Sequence, residues 1–506
     1  MHTDKDYEDL MTGVQHFIDD PDRPAECISD VFTQEMYDDL RHELLLQGAN
    51  RVADMDLIWS TDMKGREMVG GFLKDPSFGE KRLISMPDRV TSSLKTPSGQ
   101  LIFRPSPITG FEDEMSDIDT WWGEWKGFMF HTAILSRGKR VPSAFALLDL
   151  LPRPKYPALS AEEEAASVEL QALCMAVFDA VLTRILSVVA PRTWQPVRRR
   201  LHAALFADKP ARCVSILRDH YADADVIFIQ EASEAFAARA GACLRHAVLR
   251  PAHVDGRRSQ LSLILLSAAA FDPASARDLS AEAAARLPPR CAAEEDLCVF
   301  EAAHRRAGPC LLVSFHGDSD GRTTAPVLEA VHALARERFP RHLLLLGIDA
   351  NTSHRPDAPP VGPAAPATPT LGACPLAAPV PTALGTAAQG RWGLSVGELA
   401  DLLAARGLAS CWGGREELGG VWTTYSARTH LQPQGHKAVG PAAAGGAEHR
   451  RLRDWVVFPA GRAAAAGPAE RDNTGRGALA EVRTAPSAAF PSDHAVVSVR
   501  VAVRPG

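Results

Sequence analysis

Apolar runs in this 506-residue chain repeatedly stop on a residue able to act as acid, base or ligand. The plainest case is His342 to Thr352, where Leu343, Leu344, Leu345 and Leu346 give way to Gly347-Ile348-Asp349-Ala350-Asn351. A leucine run bounded by glycine reads as a buried strand. Asp349 and Asn351, two residues apart at its end, set a carboxylate and a carboxamide on one side of the chain, which suits an anion site; an Asx-type turn uses the same pair. Elsewhere Ala224-Asp225-Val226-Ile227-Phe228-Ile229 ends on Gln230-Glu231, and Cys310 to Phe315 ends on His316-Gly317-Asp318. Asp454 opens a strand to Phe458, and Ser492-Asp493-His494 introduces a terminal strand from Ala495 to Val503. Singly, His316 reads as a hydrogen-bonded structural histidine, Asp454 as a strand-start residue and Ser492-Asp493-His494 as a turn. Together they supply a cation ligand, a water activator and neutral or positive donors, the set that phosphoester hydrolysis requires.

Other elements must hold these ends in place. Lys126 to Leu135 reads as a short apolar strand. Ser160 and Glu163 form a capping box ahead of an apolar-periodic helix to about Val189, which Pro191 ends, and Trp194 to His220 is helical. Leu261 to Leu266 and Leu297 to Ala302 read as strands around a helical insert at Ser280 to Arg286. A helix from about Pro326 precedes the leucine strand, Ser395 and Glu398 cap a helix that Gly407 closes, and Val421 to Tyr425 is strand-like. Residues 1–125 lack the Ala/Arg bias of the remainder and form an N-terminal region of unassigned role, with a Thr33-capped helix and a Trp121, Trp122, Trp125 cluster. Residues 354–390 are dense in Pro and Ala with almost no charge, as in a surface insertion.

Hydrophobic content of 46% and charged content of 23% place the chain among globular proteins, and the net charge of −7 lacks the footprint of a constitutive nucleic-acid binder. The nine cysteines include no Cys-x-x-Cys, which argues against a disulfide framework or zinc site and for a reducing compartment. We expect no transmembrane segment, because no twenty-residue apolar run is evident and Met1 to Asp20 is acidic rather than signal-like. An intracellular, soluble, cytoplasmic protein is the expectation.

Taken in order, Phe228-Ile229-Gln230-Glu231, Ser314-Phe315-His316, Gly347-Ile348-Asp349-Ala350-Asn351, Asp454-Trp455-Val456-Val457 and Ser492-Asp493-His494 resemble the motifs of the endonuclease/exonuclease/phosphatase superfamily. The resemblance covers 126–506 and implies an α/β, DNase I-like fold: a two-layer mixed β-sandwich flanked by helices, with 1–125 an additional N-terminal segment. It implies a hydrolase of phosphoesters, of diesters more than monoesters, that uses Mg²⁺ with Mn²⁺ as a substitute. Glu231 and Asp493 would serve the metal. His494, oriented by Asp454, would contact the scissile phosphate or do acid/base work, Asp349 would orient water, and His316 and Asn351 would donate to phosphoryl oxygens. Arg428, in Thr423 to Thr429 where the family places substrate loops, could fork onto a phosphate. The implied partner is a nucleic acid or a phosphorylated small molecule or lipid headgroup. The family's first strand ends in a metal-site Asn, whereas the aligned residue here is Ala133 or Ile134, and Ile348 separates Gly347 from Asp349. The alternative is a catalytically degenerate member that binds phosphorylated ligands or a protein partner.

Overall fold

Side-chain alternation along a few apolar strands determines which residues reach the candidate site. The computed structural model describes residues 4–83, 93–115, 117–136, 138–252, 260–289, 291–292, 294–319, 321–352, 393–425, 450–481, 486–487 and 489–504. By internal contacts the chain forms two units, the first comprising Met1–Lys209 with short later pieces that include Ser487–Pro491, the second Pro210–Ser426, His449–Pro486 and Ser492–Gly506. Arg428 and the Pro/Ala-rich stretch at 354–390 lie outside the described residues.

The first unit packs helices around one apolar core. Its central helix, Ser167–Val189, is buried on nearly all sides. Contrary to the expectation from sequence, this 23-residue helix is long and apolar enough to cross a membrane, but 78% of its most apolar window is buried inside the protein. Thr33 caps the Gln34–Leu46 helix through Met36 N, and Ser160 with Glu163 forms the capping box. The three tryptophans are core residues: Trp125 Nε1 donates to Asp179 Oδ2 at 3.0 Å and Trp121 Nε1 to the Pro105 carbonyl at 2.9 Å.

Lys126 to Leu135 is not the strand expected. Ile118–Lys126 is α-helical, a π-turn continues it through Gly127–His131, and the strand Ile134–Ser136 belongs to a small antiparallel sheet of the first unit. Trp121, Trp122, Trp125, Phe128 and Met129 recur at helical spacing and form one buried stripe, and a short apolar run alone does not separate that pattern from a strand. The boundary expected at 125/126 therefore falls inside the first unit, whose main segment runs to Lys209.

The second unit is layered. Its larger sheet runs in the order Leu408–Ser410, Asp454–Pro459, Leu343–Asp349, Gly308–His316, Leu297–His304, Phe271–Asp278, and its smaller sheet in the order Val226–Ala232, Leu261–Ser267, His246–Leu249. Among the described residues of these two sheets, only the Gly308–His316 and Leu343–Asp349 neighbours are parallel, joined by the crossover helix Thr324–Arg338. Leu312, Cys310, Leu343 and Phe458 of the larger sheet meet Ile264, Leu266 and Phe228 of the smaller one in a shared core. On the outer face, Leu311, Val313, Leu344 and Leu346 pack on Val327, Val331 and Leu334 of the crossover helix and on Leu399 and Leu403 of the helix Val396–Ala405. Leu263 and Leu265 face the helices Lys209–His220 and Glu234–Cys243. This helix, sheet, sheet, helix order buries both faces of the leucine strand, as its unbroken apolar run requires.

Gly347 is fixed by that stacking. A Cβ there would collide with the Phe228 ring of the opposing sheet, so the residue two before Asp349 must be glycine for the sheets to close. Gln230 ties the layers further, its amide donating to Ser314 Oγ and the Gly347 carbonyl, both at 2.9 Å.

Candidate active site

Register brings the predicted residues into one row. His316 pairs with Asp349 across the parallel ladder, and Asp349 pairs with Asp454 across the antiparallel one. By alternation all three continue the face of the larger sheet that packs on the smaller sheet, because Leu312, Leu343 and Phe458 of the same strands lie on that face. Side chains directly opposed on neighbouring strands have Cβ atoms about 5 Å apart, and like charges so placed repel. Asp349 and Asp454 are such a pair, and His494 lies between them: its Nδ1 is 3.0 and 2.9 Å from the two Asp454 oxygens, and its Nε2 is 3.8 Å from Asp349 Oδ2. His494 is held there by a bridge to Thr424, by its N–H to Ser492 Oγ at 3.1 Å, and by Ala495 N donating to the Thr423 carbonyl at 2.8 Å.

Glu231 arrives by a different route. Alternation along Val226–Ala232 would send it outward to the helix side, since Ile227 and Ile229 face that way. The register slips between Ile229 and Ala232, and Glu231 takes a left-handed φ of 54°, which turns its carboxylate toward the site. Its Oε1 lies 3.4 Å from His316 Nε2 and the side chain stays 47% exposed. A left-handed glutamate costs on the order of 1 kcal/mol. Asn351 is the site's second left-handed residue, at 47°, a conformation asparagine tolerates.

His316 is the hub of a second cluster. Its Nε2 is 3.7 Å from Asp349 Oδ2, and its Nδ1 is 3.6 Å from Asp296 Oδ1. The sequence reading missed Asp296, although the signal is present: Phe315 pairs with Leu297 antiparallel, so the residue before one strand lies beside the residue ending the other. Gln230, Thr423 and Trp412 were also missed as site supports. Thr423 Oγ1 accepts from Asp454 N at 3.1 Å and Trp412 Nε1 donates to the Asp454 carbonyl at 2.8 Å, fixing the start of that strand.

Electrostatics set the protonation states. Burial favours neutral His494, but the bonded Asp454 carboxylate outweighs it and, with Asp349 and Asp493, raises the imidazole to about 10. Burial raises Asp349 to about 6, Asp454 adding to the effect while His494, His316 and the Asn351 N–H oppose it. Burial likewise opposes the charge on His316, yet Asp296, Asp349 and Glu231 hold it above the usual histidine value.

Two expectations change. The Asn351 amide is engaged, donating to the Gly317 carbonyl at 2.8 Å, while its backbone N–H donates to Asp349 Oδ1 at 2.9 Å; it orients Asp349 rather than presenting a free donor. Ala133 and Ile134 belong to the first unit, where Ile134 is fully buried in the core. Among the described residues of the second unit, no strand precedes Val226–Ala232, so the Asn-bearing first strand has no counterpart there. Asp493 is exposed beside His494.

The donor set suits a hard cation. Among the described residues, the carboxylates of Glu231, Asp349, Asp454 and Asp493 gather about the imidazoles of His316 and His494, a donor set rich in hard oxygen ligands. Asp349, Asp454 and His494 are close enough to share an ion, with ligand atoms within 4.8 Å of one another. In the metal-free protein Nδ1 of His494 is bonded to Asp454, so a ligand role for this histidine would fall to Nε2 and would require loss of its proton.

The second unit stacks a mixed six-stranded sheet on an antiparallel three-stranded one, with helices on the outer faces and the motif residues at one end, the two-layer arrangement expected from the sequence resemblance. A family model described as a domain of unknown function (DUF8234) matches residues 26–199, within the first unit. No curated protein matches. Similar solved structures include D. rerio TDP2 complexed with single-strand DNA product, at 12% identity, 58% coverage of this chain, 92% of that chain and a TM-score of 0.35. The human Nocturnin catalytic domain with bound sulfate matches at 10% identity, 60% and 90% coverage and a TM-score of 0.34. A Bacteroides thetaiotaomicron mannosyl-6-phosphatase matches at 14% identity, 58% and 91% coverage and a TM-score of 0.32. At these TM-scores the likenesses carry no weight for function, which rests on the site itself.

Proposed function

We propose that the second unit is a metal-dependent phosphoester hydrolase acting on phosphodiesters. One observation carries this reading: His316 Nε2 and His494 Nε2 face the same Asp349 oxygen at 3.7 and 3.8 Å. These separations exceed a hydrogen bond, so neither imidazole is hydrogen-bonded to the Asp349 carboxylate, and both rings border the space in front of it. In that space the imidazoles donate to phosphoryl oxygens as charge builds, and Asp349, ionised above about pH 6, accepts a hydrogen bond from the attacking water and orients it. His494 keeps its proton through Asp454 and can pass it to the departing oxygen. Asn351 and the bonded Gly317 carbonyl hold Asp349 in place. Glu231 and Asp493 would hold Mg²⁺ or Mn²⁺, which when bound supplies neutralisation of the phosphoryl oxygens.

The lack of a counterpart to the Asn-bearing first strand among the described residues favours a second reading, in which the site binds phosphorylated ligands without turnover. Hydrolysis of bis(p-nitrophenyl) phosphate, p-nitrophenyl phosphate and a small nucleic-acid panel, with Mg²⁺, Mn²⁺ or chelator, separates the two. Metal-stimulated release from the diester supports the hydrolase; inertness under every condition, with phosphate ligands still bound, supports the binder.

A further inference from the structure

Two arginines just before Asp454 stand without acidic partners. Arg451 and Arg453 are half-buried, and among the described residues neither guanidinium is hydrogen-bonded or ion-paired. The Nε of Arg453 is shut off from solvent with no acceptor in reach. Burial and the charge of Arg453 both push Arg451 below the ordinary arginine value, and no carboxylate opposes them. A guanidinium drawn out of water without a counter-ion is costly, and two side by side repel. An anionic ligand would remove both penalties.

Strand pairing fixes the direction of Arg451. Thr424 stands opposite Arg451 in one antiparallel ladder and opposite His494 in an isolated antiparallel bridge. Residues directly opposed in antiparallel strands project to the same face, so Arg451, Thr424 and His494 form one row in that order. Tyr425 and Arg450, the next pair, project to the other face. At its far end the row meets Asp454 and Asp349 through the His494 ring. Two strand spacings, roughly 10 Å, separate the Arg451 and His494 backbones, with only the short Thr424 side chain between them.

The backbone that carries the arginines is anchored to the site. The Arg451 carbonyl accepts from Thr423 N at 2.8 Å, Arg453 N donates to Thr423 Oγ1 at 3.0 Å, and the Arg453 carbonyl accepts from Ala350 N at 2.8 Å. A guanidinium on an anchored strand presents its forked donors to a phosphate with little further ordering. At two spacings from His494, the group it meets is the next one along the ligand.

We propose that Arg451, with Arg453 beside it, is a specificity-determining residue that binds a second phosphate on a ligand whose first phosphate lies at His494. The placement of the first phosphate rests on the phosphoester reading; the unpaired arginines do not. Calorimetric titration of the full chain in chelator, where no turnover occurs, compares thymidine 3′,5′-bisphosphate with thymidine 5′-monophosphate. Wild type should prefer the bisphosphate by about tenfold, the scale of one hydrogen bond to a charged group. Arg451→Gln should abolish that preference, and Arg451→Lys, which keeps the charge and loses the fork, should retain part of it. Thermal melts confirm folding. No preference in wild type, or a preference that survives in Arg451→Gln, overturns the proposal; if Arg451→Gln does not fold, an undiminished preference in Arg451→Lys overturns it. A second arm measures KM for thymidine 5′-(p-nitrophenyl phosphate) and its 3′-phosphorylated form with Mg²⁺. The added phosphate should lower KM severalfold in wild type and much less in Arg451→Gln, and equal KM values in wild type overturn the assignment to the substrate. If neither compound turns over, the hydrolase reading fails while the titration still decides Arg451.

Discussion

Replacing Asp454 by asparagine isolates the feature on which the proposed chemistry most depends. The carboxylate meets His494 Nδ1 with both oxygens, at 2.9 and 3.0 Å, and is the largest of the influences that lift the imidazole from 6.5 to about 10. A lift of that size corresponds to roughly 5 kcal/mol of preference for the imidazolium. Asp349 and Asp493 share in it to a lesser degree. The Asp454→Asn substitution should therefore lower the His494 pKa well below about 10 and allow it to sit in the wrong tautomer. Two measurements check this. NMR titration of the His494 ring should show the drop directly. Turnover of bis(p-nitrophenyl) phosphate should fall by about a hundredfold or more, with its alkaline limb moved down from near 10. The linkage has a definite sign: a raised histidine stabilises the fold fully below 6.5, and that stabilisation is lost as pH rises through about 10. Wild type should lose more stability than Asp454→Asn over that window. A His494 pKa still near 10 in the variant would refute the assigned pairing.

Further outcomes follow from individual contacts. With Asp349 at about 6 and His494 at about 10, the wild-type rate should be bell-shaped with limbs near those values, and a flat profile from about 5 to about 11 would remove one of them from the mechanism. Glu231→Gly should relieve the left-handed backbone and stabilise the metal-free protein by up to about 1 kcal/mol in thermal melts, while raising the Mg²⁺ needed for half-maximal turnover; a lower Tm would contradict the strain. Gly347→Ala should cost about 1–3 kcal/mol, read as a lower Tm, because its Cβ would meet the Phe228 ring. Ile134→Asn should destabilise the buried core of the first unit and leave the Mg²⁺ requirement unchanged, whereas a lowered requirement would restore that residue to the metal site.

What was legible in the sequence follows from how each residue reaches the site. His316, Asp349 and Asp454 end or begin long apolar strands, and regular alternation carries them to one face, so strand reading located them. Glu231 was legible as a motif, but not the bulge and left-handed turn that re-aim it, because these arise from the mismatch of two pairing strands rather than from local composition. Asp296 required the register of a neighbouring strand. The apolar segment after Lys126 was misread because its helical stripe is completed by tryptophans upstream of it, and with it went the domain boundary and the aligned Asn position. Ile348 between Gly347 and Asp349 proved to have a packing cause: glycine faces Phe228, isoleucine faces the outer helices, and aspartate returns to the glycine face.

The most direct measurement is the rate of bis(p-nitrophenyl) phosphate hydrolysis by the full chain and by Asp349→Asn and His494→Gln, each with Mg²⁺, Mn²⁺ and chelator. The proposed chemistry predicts metal-stimulated release of p-nitrophenol by wild type, abolished by chelator and lowered about a hundredfold or more in each folded variant. Wild type inert with both metals, or variants as fast as wild type, would contradict a phosphodiester hydrolase at this site.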